Sequence, residues 1–283
     1  MAKRSDRNPD SAPGDWYIDS RCIDCAASRE VAPGLIVHRD GKSVFARQPA
    51  SEDEERAAWR AALLCPTASV GTEGRRQQPL GLFPQEIAPR VYRCGYNAHT
   101  SFGAHAYFVR AEGGNLLVDS PRYVQSLVQA FEQMGGIADI LLTHRDDVAA
   151  ADRYAHQFRA RVWIHEHDRS AAPYATDLLT GAEPAPIRDG LMAIPVPGHT
   201  RGSVVYLWQG TYLFAGDSLS WDRRHEQLAA FRDVCWYSWD ELELSLGRLA
   251  QHRFEWLLPG HGHSVHLDAA QMQAELRALV QRM

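Results

Sequence analysis

The spacing of hydrophobic and polar residues changes at about residue 85 of the chain. Before this point we interpret LIVHRDGKSVFARQ as a β-hairpin with an Asp-Gly turn, and SEDEERAAWRAALL as a helix with Ser51 as its N-cap. After it, strand-like runs such as GNLLVDS, IADILLTH and RVWIHEH alternate with helical runs such as VQSLVQAFEQM and AAADRYAHQF. Strands with helices interleaved and outside predict an α/β layered sandwich.

This change of pattern divides the chain into four segments. Residues 1–14 are polar with Pro and Gly, and we expect them to form a flexible tail. Residues 15–72 hold the hairpin and the helix, which predicts a small α+β domain (the small domain). Residues 73–84, EGRRQQPLGLFP, are interpreted as a linker, and residues 85–283 as the large domain.

Composition and charge exclude several classes of function. The 283 residues are 45% hydrophobic, and the net charge of −5 provides no basic surface for nucleic acid or an anionic membrane. No apolar run approaches the ~18 residues of a membrane span, and the N-terminus lacks the apolar segment of a signal peptide. We therefore expect a soluble, cytoplasmic protein.

Four apolar runs of the large domain end in a residue that can bind a metal ion. The runs are ILLTH, IPVPGH, YLFAGD and WLLPGH, which end in His144, His199, Asp217 and His261. Strand ends hold side chains at rigid positions, so we expect these four residues to converge on one site. Three imidazoles and a carboxylate suit zinc or iron, because the carboxylate offsets part of the charge of the cation.

These motifs also resemble those of a known family. TH followed by acids, PGHT-x-GS, GD and PGHG, in this order over about residues 85–266, are similar to the motifs of the metallo-β-lactamase superfamily. The resemblance implies an αββα sandwich with one or two metal ions between its sheets. It also implies hydrolysis of an ester, thioester, amide or phosphoester by a metal-bound hydroxide, although some branches hold iron and carry out redox chemistry.

The first motif departs from the family pattern. The family usually reads HxHxDH, but here Asp146 replaces the second His, and Val148 and Ala149 replace the Asp-His pair. Relatives that read THxDDVxDH would place this pair at Ala150 and Ala151. The second metal therefore loses both dedicated ligands in either alignment.

The remaining residues predict a site for one divalent metal, either zinc or iron. Its expected ligands are His144, Asp146, His199 and Asp217, since two imidazoles with carboxylates suit catalytic zinc and non-haem iron(II). His261 and a share of Asp217 are all that is left for a second metal, which makes that metal doubtful. We also predict a catalytic role for His261, which would stabilise a developing oxyanion.

Asp147 has more than one interpretation. As a catalytic residue it would hold or transfer a proton, and it could also orient His144 or bind metal in place of the missing pair. The plainer interpretation, which we favour from sequence alone, is an N-cap for a helix that begins near Val148.

The cysteines of the small domain form a second candidate cofactor site. Cys22, Cys25 and the remote Cys65-Pro66 resemble the single-cluster ferredoxin pattern C-x₂-C-x₂-C…C-P, with Ser28 at the third cysteine position. Three thiolates would hold a three-iron cluster, and Ser28 would allow an oxygen-ligated four-iron cluster. Alternatively, the cluster is lost and the cysteines are simply buried. Cys94 and Cys235 lack partners at ligand spacing and are expected to pack in the core.

An aromatic run, DVCWYSWDEL, follows the GD motif. Trp236, Tyr237 and Trp239 could form the wall of a pocket over the metal, or they could pack in the core. The sequence does not decide between these alternatives.

Three functions remain open at this point. The first is a metal-dependent hydrolase of a small molecule, and the second is an iron oxidoreductase that receives electrons through an iron–sulfur cluster. The third is a diverged, non-catalytic protein, because both motif sets have lost ligands. The expected partners are a small-molecule substrate and, for the second function, an electron donor. Neither nucleic acid nor membrane is expected, and the oligomeric state is not indicated.

Overall fold

The small domain combines two pairs of short strands with two helices. The computed structural model describes residues 2–74 and 76–283. The elements of the small domain are β1 Trp16–Ile18, α1 Ala27–Val31, β2 Ile36–Arg39, β3 Lys42–Phe45, α2 Glu52–Leu64 and β4 Val70–Thr72. Strand β1 pairs with β4, and β2 pairs with β3, both antiparallel. The predicted hairpin and helix are therefore present, with the Ser51 side chain accepting a hydrogen bond from the Glu54 amide at 3.3 Å.

The N-terminal segment lies against the small domain rather than forming a free tail. The amide of Asn8 donates to the carbonyl of Ile18 at 2.9 Å, and the amide of Ala12 donates to the carbonyl of Phe45 at 2.8 Å. The side chain of Ser11 is buried. These hydrogen bonds hold the segment against the small domain, and they satisfy backbone groups of both. Residue 1 of the expected tail and residue 75 of the expected linker lie outside the described residues.

The large domain begins with a half built from seven strands and two helices. Its elements are β5 Gln85–Ala88, β6 Val91–Arg93, β7 Tyr107–Val109, β8 Leu116–Val118, α3 Gln125–Gln133, β9 Asp139–Leu141, α4 Ala151–Phe158, β10 Arg161–His165 and β11 Asp177–Leu179. The strands form one sheet in the order β11-β10-β9-β8-β7-β6-β5. Strands β8 to β11 run parallel to one another, and the pairs from β5 to β8 are antiparallel.

The second half of the large domain adds a second sheet and two further helices. Its elements are β12 Ala185–Arg188, β13 Leu191–Pro195, β14 Val204–Trp208, β15 Tyr212–Gly216, β16 Ser220–Asp222, β17 Gln227–Ala229, α5 Trp239–Leu249, β18 Trp256–Pro259, β19 Val265–His266 and α6 Ala269–Arg282. Six of these strands form a sheet in the order β12-β13-β14-β15-β18-β19. Strands β16 and β17 form a separate hairpin.

Three hydrophobic layers hold the large domain together. Buried side chains from both sheets meet in the centre, among them Tyr107, Val118, Tyr206 and Phe214. Helices α3 and α4 cover the outer face of the first sheet, and α5 and α6 cover that of the second. The order helix, sheet, sheet, helix confirms the predicted α/β sandwich.

The two domains share part of their core. Ala27 and Leu64 of the small domain belong to the same hydrophobic cluster as Phe108 and Phe131 of the large domain. The amide of Asn97 also donates to the carbonyl of Leu64 at 3.1 Å. The exact domain boundaries stay a prediction. Within the described residues, no helix is long and apolar enough to span a lipid bilayer.

Candidate metal centre

The four residues that end the apolar runs come together at one edge of the sandwich. His144 follows β9, His199 follows β13, Asp217 follows β15 and His261 follows β18. The Oδ2 atom of Asp217 lies 3.6 Å from His144 Nε2, 3.7 Å from His199 Nε2 and 3.7 Å from His261 Nε2. Because one strand of the first sheet and three strands of the second end at this edge, the side chains converge although they lie far apart in sequence.

These spacings suit a metal ion. Ligand atoms about 2.0–2.2 Å from a tetrahedral zinc ion lie roughly 3.3–3.6 Å from one another. The ligand atoms of His144, His199 and Asp217 form one group within 4.8 Å. Asp146 borders this group, since its Oδ2 atom lies 3.4 Å from His199 Nε2 and 3.9 Å from His144 Nε2.

A second group shares one residue with the first. Asp147, Asp217 and His261 have ligand atoms within 4.8 Å of one another. A Cβ atom at Gly260 would lie 2.7 Å from Asp217 Oδ1 and 3.1 Å from Asp147 Oδ2. The glycine of the PGHG motif therefore leaves space that both carboxylates occupy.

Asp147 is not a helix cap, so the interpretation favoured from sequence is wrong. Helix α4 begins only at Ala151, and its N-cap, Ala150, makes no side-chain hydrogen bond. Asp147 ends a one-turn 3₁₀ helix, Arg145–Asp147, and its side chain is buried. The chain turns again at residues 149–150 before α4 starts, and this turn leaves Asp147 facing the metal centre.

Several buried polar atoms of the site lack a hydrogen-bond partner in the part of the chain that the structure describes. This observation tests whether the residues fit a metal ion. Among the described residues, no hydrogen bond reaches the atoms His144 Nε2, His199 Nε2, Asp146 Oδ2, Asp147 Oδ2 and Asp217 Oδ1. Leaving several such groups unpaired is costly unless an ion or water satisfies them. The donor set of imidazoles and carboxylates therefore fits zinc or iron(II).

The pKa shifts of His144 and Asp217 favour a neutral imidazole and an ionised carboxylate, which are the forms that bind a metal ion. Burial lowers the pKa of His144, so the imidazole is neutral at pH 7 and can donate a lone pair. Burial opposes ionisation of Asp217, but the nearby His261, His144 and His199 hold its pKa below the usual value. Burial and then the charge of Asp217 raise the pKa of Asp147 well above its usual value. A cation would relieve this crowding of carboxylates.

Two buried residues that sequence reasoning missed support the ligands. Asp119 accepts hydrogen bonds from the amide of Thr143 at 2.8 Å and from its Oγ1 at 2.9 Å. Thr143 Oγ1 lies 3.0 Å from His144 Nδ1, and because the hydroxyl donates to Asp119 it accepts a hydrogen bond from Nδ1–H, which leaves Nε2 free to bind metal. Burial raises the pKa of Asp119 to about 8, although the Thr143 hydrogen bonds oppose this shift.

The second missed residue is Asp168. Its Oδ2 atom accepts from the amide of Arg145 at 3.0 Å and from Thr200 Oγ1 at 2.6 Å. It therefore joins the loop that carries His144 to the loop that carries His199. The acid of GNLLVDS and that of WIHEHD were visible in the sequence, but nothing local distinguished them from surface acids.

A large cleft opens over the metal centre. Its volume is about 1120 Å³. Its floor includes Asp146, Asp147, His199, Asp217 and His261, and its walls come from four segments: 24–26, 100–102, 219–220 and 230–234 with Trp236. Of the aromatic run, Trp236 lines the cleft, whereas Trp239 packs against the core under α5 and α6.

The cysteines of the small domain also come together. Cys22, Cys25, Ser28 and Cys65 line one small cavity. The amide of Ser43 donates to Cys22 Sγ at 3.4 Å, and the amide of Ser69 donates to Cys65 Sγ at 3.3 Å. Backbone amides that point at sulfur stabilise cluster-bound thiolates, so the residues fit an iron–sulfur cluster.

The other two cysteines occupy the large domain as expected. Cys94 is fully buried in its core, and Cys235 packs against the second sheet and donates to the Gly198 carbonyl at 3.1 Å. None of the five cysteines forms a disulfide bond.

The family follows from comparison with known proteins. Residues 93–280 match the family model of the metallo-beta-lactamase superfamily. The chain belongs to this superfamily. This match confirms the resemblance inferred from the four motifs. Residues 18–72 match a second model, the 4Fe-4S single cluster domain of ferredoxin I, and so confirm the resemblance of the small domain.

Sequence relatives cover part of the chain. It is 33% identical over 146 residues to the uncharacterized protein YobT of Bacillus subtilis, which is 41% of this chain and 62% of that protein. It is 31% identical over 119 residues to a hydroxyacylglutathione hydrolase of Acidiphilium cryptum, which is 41% of this chain and 49% of that protein. The chain thus spans about half the length of the curated relatives it matches.

Solved structures agree with the fold. DIM-1 metallo-beta-lactamase is 17% identical with a TM-score of 0.53, and the match covers 70% of this chain and 95% of that one. The metallo-beta-lactamase from Pontibacter korlensis is 18% identical with a TM-score of 0.52, and the match covers 70% and 98%. At these identities the similarity shows the fold alone.

Proposed function

We propose that the protein is a metal-dependent hydrolase of a small-molecule ester, thioester or amide. The observation that carries this proposal is the position of Asp217 Oδ2, 3.6–3.7 Å from the Nε2 atoms of three histidines at the floor of a cleft. Two relatives are named hydroxyacylglutathione hydrolase, which makes an acyl thioester the first substrate class to test.

Different residues of the site would have different roles in hydrolysis. A bound zinc or iron(II) ion supplies Lewis acidity and an activated water at neutral pH. Asp146 borders the cleft with a side chain that is 42% exposed, and its Oδ2 atom would help His144 and His199 to hold the ion. His261 belongs to the second ligand group, where it would hold a metal ion rather than contact the developing oxyanion.

We further propose that the centre holds two metal ions rather than the one expected from sequence. The support is the second ligand group, in which Asp147 stands in for the missing Asp-His pair and Asp217 is shared. Two-metal hydrolytic sites commonly share a carboxylate between ions.

Metal analysis of variants tests the number of ions. Elemental analysis of the purified chain should give two ions per chain, and Asp147→Asn should remove one of them because it removes a charged ligand. The matched control is Asp152→Asn, which changes an exposed acid on helix α4. One ion in the wild-type protein, unchanged in Asp147→Asn, would restore the single-metal expectation.

Turnover of a substrate panel tests the reaction. We expect the metal-loaded chain to cleave acyl thioesters or aryl esters, and His199→Ala to reduce kcat/KM by at least about a hundredfold, since it removes a ligand. His156→Ala, on the exposed face of α4, is the control and should retain activity. Equal activity of His199→Ala and the control would exclude hydrolysis at this site.

A specific contact favours a second candidate, an iron oxidoreductase in which the small domain relays electrons. A Cβ atom at Gly103 would lie 2.8 Å from Cys25 Sγ, and the ring of the preceding Phe102 lies 6.2 Å from that of His261. The cysteine loop is therefore close to the metal centre.

Anaerobic purification separates the two candidates. Iron and acid-labile sulfide in a coloured protein, with a spectrum that changes when an external electron donor is added, would support the oxidoreductase. Zinc in a colourless protein that cleaves thioesters would support the hydrolase.

A further inference from the structure

The cleft over the metal centre is not made by the large domain alone. Asp24, Cys25 and Ala26, from the loop before α1 of the small domain, line the same cleft as Asp217 and His261. We propose that this loop is one wall of the substrate pocket, and that the pocket takes a bulky aromatic or apolar group that also carries an anion. This inference rests on the proposed hydrolytic function for the position of the scissile bond.

The apolar character of the walls supports this substrate class. Large hydrophobic side chains are rarely left in water in clusters unless they bind something. Eight large hydrophobic residues of the described chain are exposed, and four of them line the cleft: Phe102, Phe231, Val234 and Trp236. Trp236 is 59% exposed and its ring centroid lies 6.2 Å from that of His199. An aromatic substrate could therefore stack beside the metal ligands.

Two guanidinium groups line the cleft together with the carboxylates of Asp24, which is paired with Arg29, and Asp233. Arg145 and Arg232 both line the cleft. The nearest ion pair of Arg145 is a loose one, with its Nε atom 3.7 Å from Asp146 Oδ1, and Arg232 lies over the ring of Trp239 at 5.7 Å. Neither contact saturates the donors of an arginine, which leaves N–H groups for an anionic substrate group.

A buried carboxylate holds the small-domain wall in place. The side chain of Glu30, on α1, is 5% exposed. It accepts a hydrogen bond from Arg93 Nη2 at 3.0 Å and another from His263 Nδ1, and it lies 3.5 Å from Arg223 Nη2. All three partners belong to the large domain.

These partners belong to parts of the large domain that also shape the cleft. His263 is two residues from His261, which lies on the floor, and Arg223 lies in the β16–β17 hairpin, whose first residue, Ser220, lines the cleft. Glu30 therefore holds the small domain both against the loop after His261 and against the β16–β17 hairpin. Loss of its charge would leave the guanidinium groups of Arg93 and Arg223 without their shared carboxylate partner, which loosens the contact.

The first experiment tests the small-domain wall with a probe that needs no turnover. The probe is anilinonaphthalene sulfonate, an aromatic anion, titrated by fluorescence into the full-length metal-loaded chain. Ala26→Glu places a negative charge and bulk on the wall, and we expect it to weaken binding by at least about fivefold. Ala270→Glu makes the same change on an exposed position of α6 and should leave binding unchanged. Equal dissociation constants for the two variants would overturn the proposal.

The second experiment tests the anchoring role of Glu30. Glu30→Gln should weaken probe binding and raise KM for thioesters while kcat and metal content stay near wild type. Its control is Glu54→Gln, which removes an ion pair with Arg47 on the surface of the small domain. Arg223→Gln removes only the outer cation, so it provides a milder second variant if Glu30→Gln does not fold. Unchanged probe binding and KM in Arg223→Gln and in folded Glu30→Gln would contradict the anchoring role.

The third comparison tests the apolar and charged walls of the large domain. Trp236→Ala and Arg232→Gln should each weaken probe binding by about three- to tenfold, because they remove an aromatic face or a cation. Leu244→Ala, at an equally exposed position on α5 outside the cleft, is the control. If the probe binds as expected but no thioester or ester is cleaved, the pocket stands and the hydrolase proposal fails. If turnover is present but none of these variants affects probe binding, the proposed substrate pocket is refuted.

Discussion

The hydroxyl of Thr143 is the contact through which the protein sets the orientation of His144. Its oxygen donates a hydrogen bond to Asp119 Oδ2 at 2.9 Å and therefore accepts one from the Nδ1–H group of His144 at 3.0 Å. Thr143→Val keeps the shape of the side chain and removes both bonds. The imidazole is then free to rotate or to carry its proton on Nε2, the atom that faces the metal centre.

The size of the effect follows from the groups left without a partner. Removing the hydrogen-bonding partner of a metal-bound histidine typically weakens metal affinity by about 10–100-fold, or roughly 1.4–2.7 kcal/mol. The apoprotein should lose stability as well, by about 1–3 kcal/mol, because His144 Nδ1 and one oxygen of Asp119 become unpaired in a buried site. Both residues are at most 3% exposed, so water cannot easily replace the hydroxyl.

Two measurements separate these effects. Competition with a zinc chelator gives the metal affinity, and urea unfolding of the metal-free protein gives the stability. Thr143→Ser keeps the hydroxyl and is the matched control, for which we expect near wild-type affinity. If Thr143→Val and Thr143→Ser bound zinc equally well, the hydroxyl would not orient His144 and the reasoning would be refuted.

Three further predictions concern the cluster, the domain contact and the core. Ser28→Cys completes the four-cysteine pattern and should raise the iron and sulfide content of anaerobically purified protein, whereas absence of iron and sulfide from both proteins would show that the cavity holds no cluster. Burial opposes ionisation of Glu30, yet its hydrogen bond with His263 and then the charge of Arg93 lower its pKa to about 2, so its stabilising effect is present above pH 4.5 and is lost as pH falls towards 2. Urea unfolding against pH should show this loss in the wild-type protein but not in Glu30→Gln. Phe131→Ala, which removes a buried ring stacked at 4.7 Å on Phe108, should cost about 3–5 kcal/mol in the same assay, and a loss below 1 kcal/mol would contradict the packing.

Local patterns in the sequence were sufficient to predict the elements and to predict that most of the candidate ligands lie together. The Asp-Gly turn, the Ser51 cap and the alternating runs predicted the hairpin, the helix α2 and the layered sandwich, because each depends on residues a few positions apart. The same holds for His144, His199, Asp217 and His261, which the strand ends marked. The carboxyl ends of neighbouring parallel strands lie at one edge of a sheet. Motifs that each follow a strand are therefore expected to bring their side chains together.

The tertiary structure alone decided what Asp147, Asp119 and Glu30 do. In sequence, Asp147 looks like a helix cap, but the turn after the 3₁₀ helix places it opposite His261. Asp119 meets Thr143 across 24 residues, and Glu30 meets His263 across 233. A buried carboxylate needs partners, and which partners it finds depends on how distant segments pack, for which the local sequence carries no signal.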